Sequence, residues 1–77
     1  MVKTHQGPKG NVVVETNYGL TTVTALDLMG NQVDQLIDTG NSPSLEAIKK
    51  VVGPTGVDST LVAIALKADL YQSQYPH

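Results

Sequence analysis

Hydrophobic and polar positions divide the chain into a short series of elements. Residues 11–16 (NVVVET) are a β-branched run with polar ends, the pattern of a strand. Asn17-Tyr18-Gly19 follows as a turn, and residues 20–24 (LTTVT) return as a second strand. A β-hairpin over 11–25 is therefore expected. Ahead of it, residues 1–10 (MVKTHQGPKG) carry Gly7, Pro8 and Gly10, show no apolar pattern after Val2, and read as a flexible arm.

Two periods compete in the next stretch. Leu26, Met29, Val33, Leu36 and Ile37 are spaced by threes and fours, which predicts a helix over about 26–39. Thr24 would cap it, and Gly40-Asn41 would stop it. Gly30-Asn31 interrupts this helix, and a mid-helix glycine costs about 1 kcal/mol. The rival is one long strand over 20–29 that turns at Gly30-Asn31.

Further on, Ser42-Pro43-Ser44 before Leu45-Glu46 opens a helix over 44–52, with Leu45, Ile48, Val51 and Val52 as its apolar stripe. Gly53-Pro54 ends it, and Val57-Asp58-Ser59 offers a cap for a helix over 59–73. That last stretch is rich in Ala and Leu and lacks Gly and Pro. Leu61, Ile64, Ala68 and Tyr71 line one of its faces, and Val62 and Leu66 a neighbouring one. Strict alternation of Val62, Ile64, Leu66, Ala68 and Leu70 keeps a buried strand over 60–71 as the alternative. Residues 74–77 are expected to fray.

Composition changes this picture mainly by what it lacks. A chain of 77 residues suits a single domain, placed here at 11–73. Such a domain buries only about 60–65% of the surface its unfolded chain exposes. Cysteine, phenylalanine and tryptophan are all absent. No disulfide or thiolate zinc site can reinforce the fold, and the core must be built from Val, Leu, Ile and Ala. A core this light points to self-association or a protein partner as part of the stable state.

Charge is sparse: five lysines, no arginine and seven carboxylates, for a net charge of −2. Without arginine, bidentate recognition of phosphates and bases is lost, so nucleic-acid binding is not expected. Polybasic attachment to a membrane is disfavoured for the same reason. No apolar run approaches the ~18 residues of a membrane span, and no signal-peptide core follows Met1. The chain reads as soluble, in either redox compartment.

Candidate chemistry is thin. His5 lies in the arm and His77 is the last residue, positions that lack the rigid support a metal ligand or general base needs. Asp27, Asp34, Asp38 and Glu46 do not form the D-x-[DN]-x-[DN]-G pattern of a calcium loop, and Asp34 and Asp38 read as a solvated helix face. Ser42, Ser44, Ser59 and Ser73 have no G-x-S-x-G context and no histidine placed to serve as base. No cofactor, metal or catalytic residue is expected.

Two weaker features remain. Gly53-Pro54-Thr55-Gly56 has the G-x-x-G form of the loop with which KH-type domains clamp a nucleic-acid backbone, and Lys49 and Lys50 precede it. Its own residues include no Lys or Arg, and Ser59 stands where an apolar residue would follow, so a plain connector is the preferred account. Tyr71 and Tyr75, in a nearly uncharged stretch, have the area and hydroxyl favoured at protein interfaces.

The expected architecture is α+β, an N-terminal hairpin packed on a small three-helix layer that shields Val12, Val14 and Val23. The alternative is mostly β with one helix. The expected function is a non-enzymatic structural or protein-interaction module, of the kind found among bacteriophage and virion accessory or inhibitor proteins. The second reading is a weak single-stranded nucleic-acid binder using the Gly53–Gly56 loop with Lys49 and Lys50.

Overall fold

The computed structural model describes residues 2–39 and 43–74, with residues 69–74 by their backbone alone. Four strands come first: β1 (Val2–Gly7), β2 (Gly10–Asn17), β3 (Leu20–Asp27) and β4 (Gln32–Thr39). Two helices follow, α1 (Leu45–Val52) and α2 (Ser59–Gln74), joined through a single 3-10 turn at Gly53–Thr55. The strands form one antiparallel sheet in the order β1-β2-β3-β4, each beside its neighbour in sequence.

Turn chemistry explains this meander. Tyr18 and Gly19 link β2 to β3 with φ of 49° and 78°. Two successive residues in the left-handed region make the turn whose twist matches a strand pair. A carboxylate organises the β3–β4 connection. The Met29 and Asn31 amides both donate to Asp27 Oδ1 at 2.9 Å, and the Gly30 amide donates to the Asp27 carbonyl at 3.0 Å. Gly30 supplies the positive φ of 86° that this turn requires.

The α+β class and the hairpin are as the sequence predicts, but the layer holds two helices rather than three. Residues 26–39 do not form a helix. The long strand ending near Gly30-Asn31 is the arrangement found, and β4 pairs with β3 from Leu20↔Thr39 to Leu26↔Gln32. The three-and-four spacing was met by a subset of residues only. Val33, Ile37 and Thr39 are β-branched, and pairing with β3 satisfies the β4 backbone without a helix. The stop expected at Gly40-Asn41 lies outside the described residues.

The segment read as an arm is also ordered, because residues 2–7 pair with β2 in unbroken register from Val2↔Glu15 to Gly7↔Gly10. By contrast, 60–71 is helical and not a strand. Of the fraying expected at 74–77, Gln74 belongs to α2 and residues 75–77 lie outside the described residues.

Both helices begin on local signals. Ser44 caps α1, its Oγ accepting from the Ala47 amide at 3.2 Å, with Glu46 in the first turn and Lys49 and Lys50 in the last. Asp58 caps α2 by accepting from the Thr60 amide at 2.9 Å.

Packing uses one face of the sheet. Val12 and Val14 of β2 and Val23 and Ala25 of β3 point inward, as the hairpin pattern predicts. They meet Ile48, Val51 and Val52 of α1 and Val62 and Leu66 of α2. α1 lies over β3 and β4, while α2 lies over β2. The buried face of α2 is thus the Val62–Leu66 side, and Leu61 and Ile64 face outward. No helix of the described residues is long and apolar enough to cross a membrane.

Candidate interaction surface

Because both helices sit on one face, the opposite face of the sheet carries no covering element among the described residues. Strand alternation and register set its residues. Val2, Thr4 and Gln6 of β1 lie beside Glu15, Val13 and Asn11 of β2, with Asn17 at the end of that strand. Leu20, Thr22, Thr24 and Leu26 follow on β3, then Gln35, Ile37 and Thr39 on β4. Five aliphatic side chains therefore stand on the open face, with threonine methyls between them. Val2 is 65% and Ile37 59% exposed, while Val13 and Leu26 are half-buried by their neighbours.

Electrostatically this face is nearly blank. Glu15 is its one charged group among the described residues, with no lysine and no aromatic ring. Phosphate neutralisation and base stacking therefore have nothing to work with there. Gln35 Nε2 donates to Thr24 Oγ1 at 3.0 Å, an internal bond between two of its uncharged polar side chains.

The rims of the sheet carry further exposed groups. Tyr18 projects fully exposed from the β2–β3 turn. Leu28 and Met29 are exposed at the tip of the β3–β4 turn that Asp27 holds. The Asn31 backbone amide, followed by that of Met29, keeps the Asp27 carboxyl below its ordinary value.

A left-handed conformation at a residue other than glycine or asparagine is unfavourable by roughly 1 kcal/mol. Tyr18→Asn is accordingly expected to stabilise the fold by about 0.5–1 kcal/mol, read as a higher urea midpoint with an unchanged slope. An unchanged or lower midpoint would mean that the ring contributes contacts outweighing the backbone strain.

The residues singled out in the sequence are scattered over other parts of the fold. The 53–56 loop is tied down. Thr55 is buried, and its Oγ1 donates to the Val52 carbonyl at 2.6 Å and accepts from the Val57 amide at 3.2 Å. The Lys9 amide donates to the Thr55 carbonyl at 3.0 Å, which fastens the loop to the β1–β2 turn. Gly56, at φ 76°, faces Pro8 so closely that a Cβ would meet Pro8 Cγ at 2.7 Å. Gly53 is exposed with open space around it, and Lys49 and Lys50 are exposed at the end of α1. Tyr71 is on α2 with its side chain outside the described residues, and Tyr75 lies wholly outside them.

Asp34 and Asp38 share a face, as expected, but on β4 and with Leu36 between them, turned toward the helices. No group of His, Cys, Asp and Glu among the described residues is arranged to hold a metal ion.

His5 is half-buried on the helix-facing side of β1, opposite Val12, and its Nε2 is buried without a hydrogen-bond partner among the described residues. Burial, with a smaller contribution from Lys3, lowers its pKa. The folded state therefore binds this proton less readily than the unfolded state. The His5 contribution to stability is complete above the ordinary histidine value of about 6.5 and falls as pH drops below it, until the folded imidazole is itself protonated. Melting temperature is expected to fall between neutral and mildly acidic pH in the native chain, and to fall less in His5→Gln. Parallel curves would show that another group is responsible.

Val13 was singled out for nothing beyond its strand, and Leu26 and Ile37 entered only as apolar positions of the helix expected over 26–39. One signal was available, the unbroken Val12-Val13-Val14. A strand with one wet face alternates, so three consecutive valines place apolar surface on both sides. Comparison with protein-family models, with curated proteins and with solved structures finds no match to this chain.

Proposed function

We propose that this chain is a non-enzymatic protein-interaction module that docks through the open face of its sheet. The observation that carries this reading is the aliphatic set Val2, Val13, Leu20, Leu26 and Ile37 on the side of the sheet that no helix covers. These aliphatic side chains are interleaved with Thr4, Thr22, Thr24 and Gln35, the mixed apolar and polar composition of a non-obligate contact surface. The near absence of charge selects an uncharged protein surface as partner. Nucleic-acid binding through Gly53, Gly56, Lys49 and Lys50 has less support, because the loop backbone is engaged by Lys9 and backed by Pro8. A place among small accessory subunits of larger assemblies, viral ones included, rests on composition alone.

The absence of cysteine makes a clean test possible. A single thiol introduced by Ile37→Cys and loaded with a photocrosslinker is expected to give a discrete protein adduct in an extract of the source cells. Lys67→Cys, on α2, is the control. Adducts at Lys67→Cys alone, or equal labelling at both positions, would refute the assignment.

A further inference from the structure

The two edges of the sheet differ. β4 is protected in three ways. Its register against β3 shifts between Ala25 and Leu26, which kinks the edge. Asp34 and Asp38 place carboxylates along it. The Gln35 amide already donates to Asp34 Oδ1 at 2.8 Å. Strand alternation from the Asn17–Leu20 turn directs that amide outward, so the side chain covers a group that an added strand would need.

β1 is less protected, its one fixed charge being Lys3 on the helix-facing side. Its six residues pair with β2 without a register shift, and it contains no carboxylate. The same alternation makes Lys3, His5 and Gly7 the residues bonded to β2. It leaves the backbone groups of Val2, Thr4 and Gln6 pointing away from the sheet. An edge that is regular, and uncovered among the described residues, is a template for one more strand.

We propose that β1 pairs antiparallel with β1 of a second copy of this chain, with Thr4 opposite Thr4, so that the two four-stranded sheets become one. The strand is self-complementary in this register. Val2 meets Gln6 and Thr4 meets Thr4 in hydrogen-bonded pairs, and Lys3 meets His5 across the closer, non-hydrogen-bonded position. No lysine stands directly opposite a lysine. The outer edges of the joined sheet are both β4, so growth stops at two chains. Joining the sheets also makes their open faces continuous, enlarging the surface assigned above. The pairing therefore deepens the interaction-module reading while using the edge rather than the face.

Sedimentation or light scattering over a wide concentration range tests this. The native chain is expected to reach twice 8.2 kDa as concentration rises. Thr4→Pro removes an outward amide and no bond to β2, a position where a strand tolerates proline, and is expected to stay monomeric with an unchanged circular dichroism spectrum. Ile37→Lys is expected to dimerise normally. A native chain that stays monomeric throughout overturns the pairing and leaves the open face to its crosslinking test. A dimer kept by Thr4→Pro and lost by Ile37→Lys also overturns it, because the copies then meet through their faces. If Thr4→Pro does not fold, amide exchange in the native chain decides. Protection of Val2, Thr4 and Gln6 that rises with concentration upholds the proposal, and protection independent of concentration overturns it.

Discussion

Leu66→Ala is expected to lower stability by about 3–4 kcal/mol, within the range for a fully buried leucine whose cavity closes only partly. Leu66 is 0% exposed and is, with Ile48, among the largest fully buried side chains of a core that contains no aromatic ring. A chain of this length is stable by only about 4–12 kcal/mol in all, so the variant stands near the limit of folding at room temperature. Leu61→Ala removes the same atoms from the same helix at a site 58% exposed, and is expected to change stability by less than about 0.5 kcal/mol. Urea unfolding of the two variants therefore reports which side of α2 faces the sheet. Equal losses, or a larger loss at Leu61, would mean that the helix is turned the other way.

Gly10→Ala is the second large effect expected, a loss of roughly 3 kcal/mol or more. Gly10 is buried at the start of β2, beside Asp27 of β3, and a Cβ there would collide with the Leu26 carbonyl oxygen. That oxygen belongs to a strand backbone, so relief requires moving β3 itself. Overpacking against backbone lies at or above the upper end of the usual 1–3 kcal/mol. Gly53→Ala makes the contrast. Gly53 has helical dihedrals and nothing near its missing Cβ, so alanine there is expected to be neutral or stabilising by up to about 1 kcal/mol. If the two variants melted alike, the close approach of β2 and β3 at Gly10 would be refuted.

Gly10 also shows how a correct local observation led to the wrong element. Gly7, Pro8 and Gly10 marked residues 1–10 as unpatterned, and an unpatterned segment reads as an arm. In the folded chain these glycines are needed for fit. A Cβ on Gly7 would stand 2.5 Å from the Thr55 carbonyl oxygen, where the 53–56 connector passes under the β1–β2 turn. What resembled conformational freedom is close packing between segments far apart in sequence. Neither composition nor periodicity carries that information.

The interaction surface was legible only in part. A light core without cysteine, phenylalanine or tryptophan pointed toward a partner, and the open face is the surface we propose for it. Sequence reasoning offered Tyr71 and Tyr75 as possible contact residues, and their side chains lie outside the described residues. Val13 and Ile37 are ordinary residues, and only the sheet register brings them together. The paired Asp34 and Asp38 illustrate the same limit. Residues four apart share a face on a helix and on a strand alike, so the grouping was right while the element was wrong.

By itself, the sequence determined the elements whose signals are local. The 11–25 hairpin follows from β-branched runs around Asn17-Tyr18-Gly19. α1 follows from Ser44 and its apolar stripe, and α2 from an Ala- and Leu-rich run opened by Asp58. Tertiary structure alone decided β1, β4 and the buried face of α2. An edge strand owes its backbone hydrogen bonds to another segment, so β1 and β4 exist because β2 and β3 are there to receive them. α2 is apolar on several sides, and its orientation was settled by which side chains fit against Val12 and Val14 of β2 rather than by any period of its own.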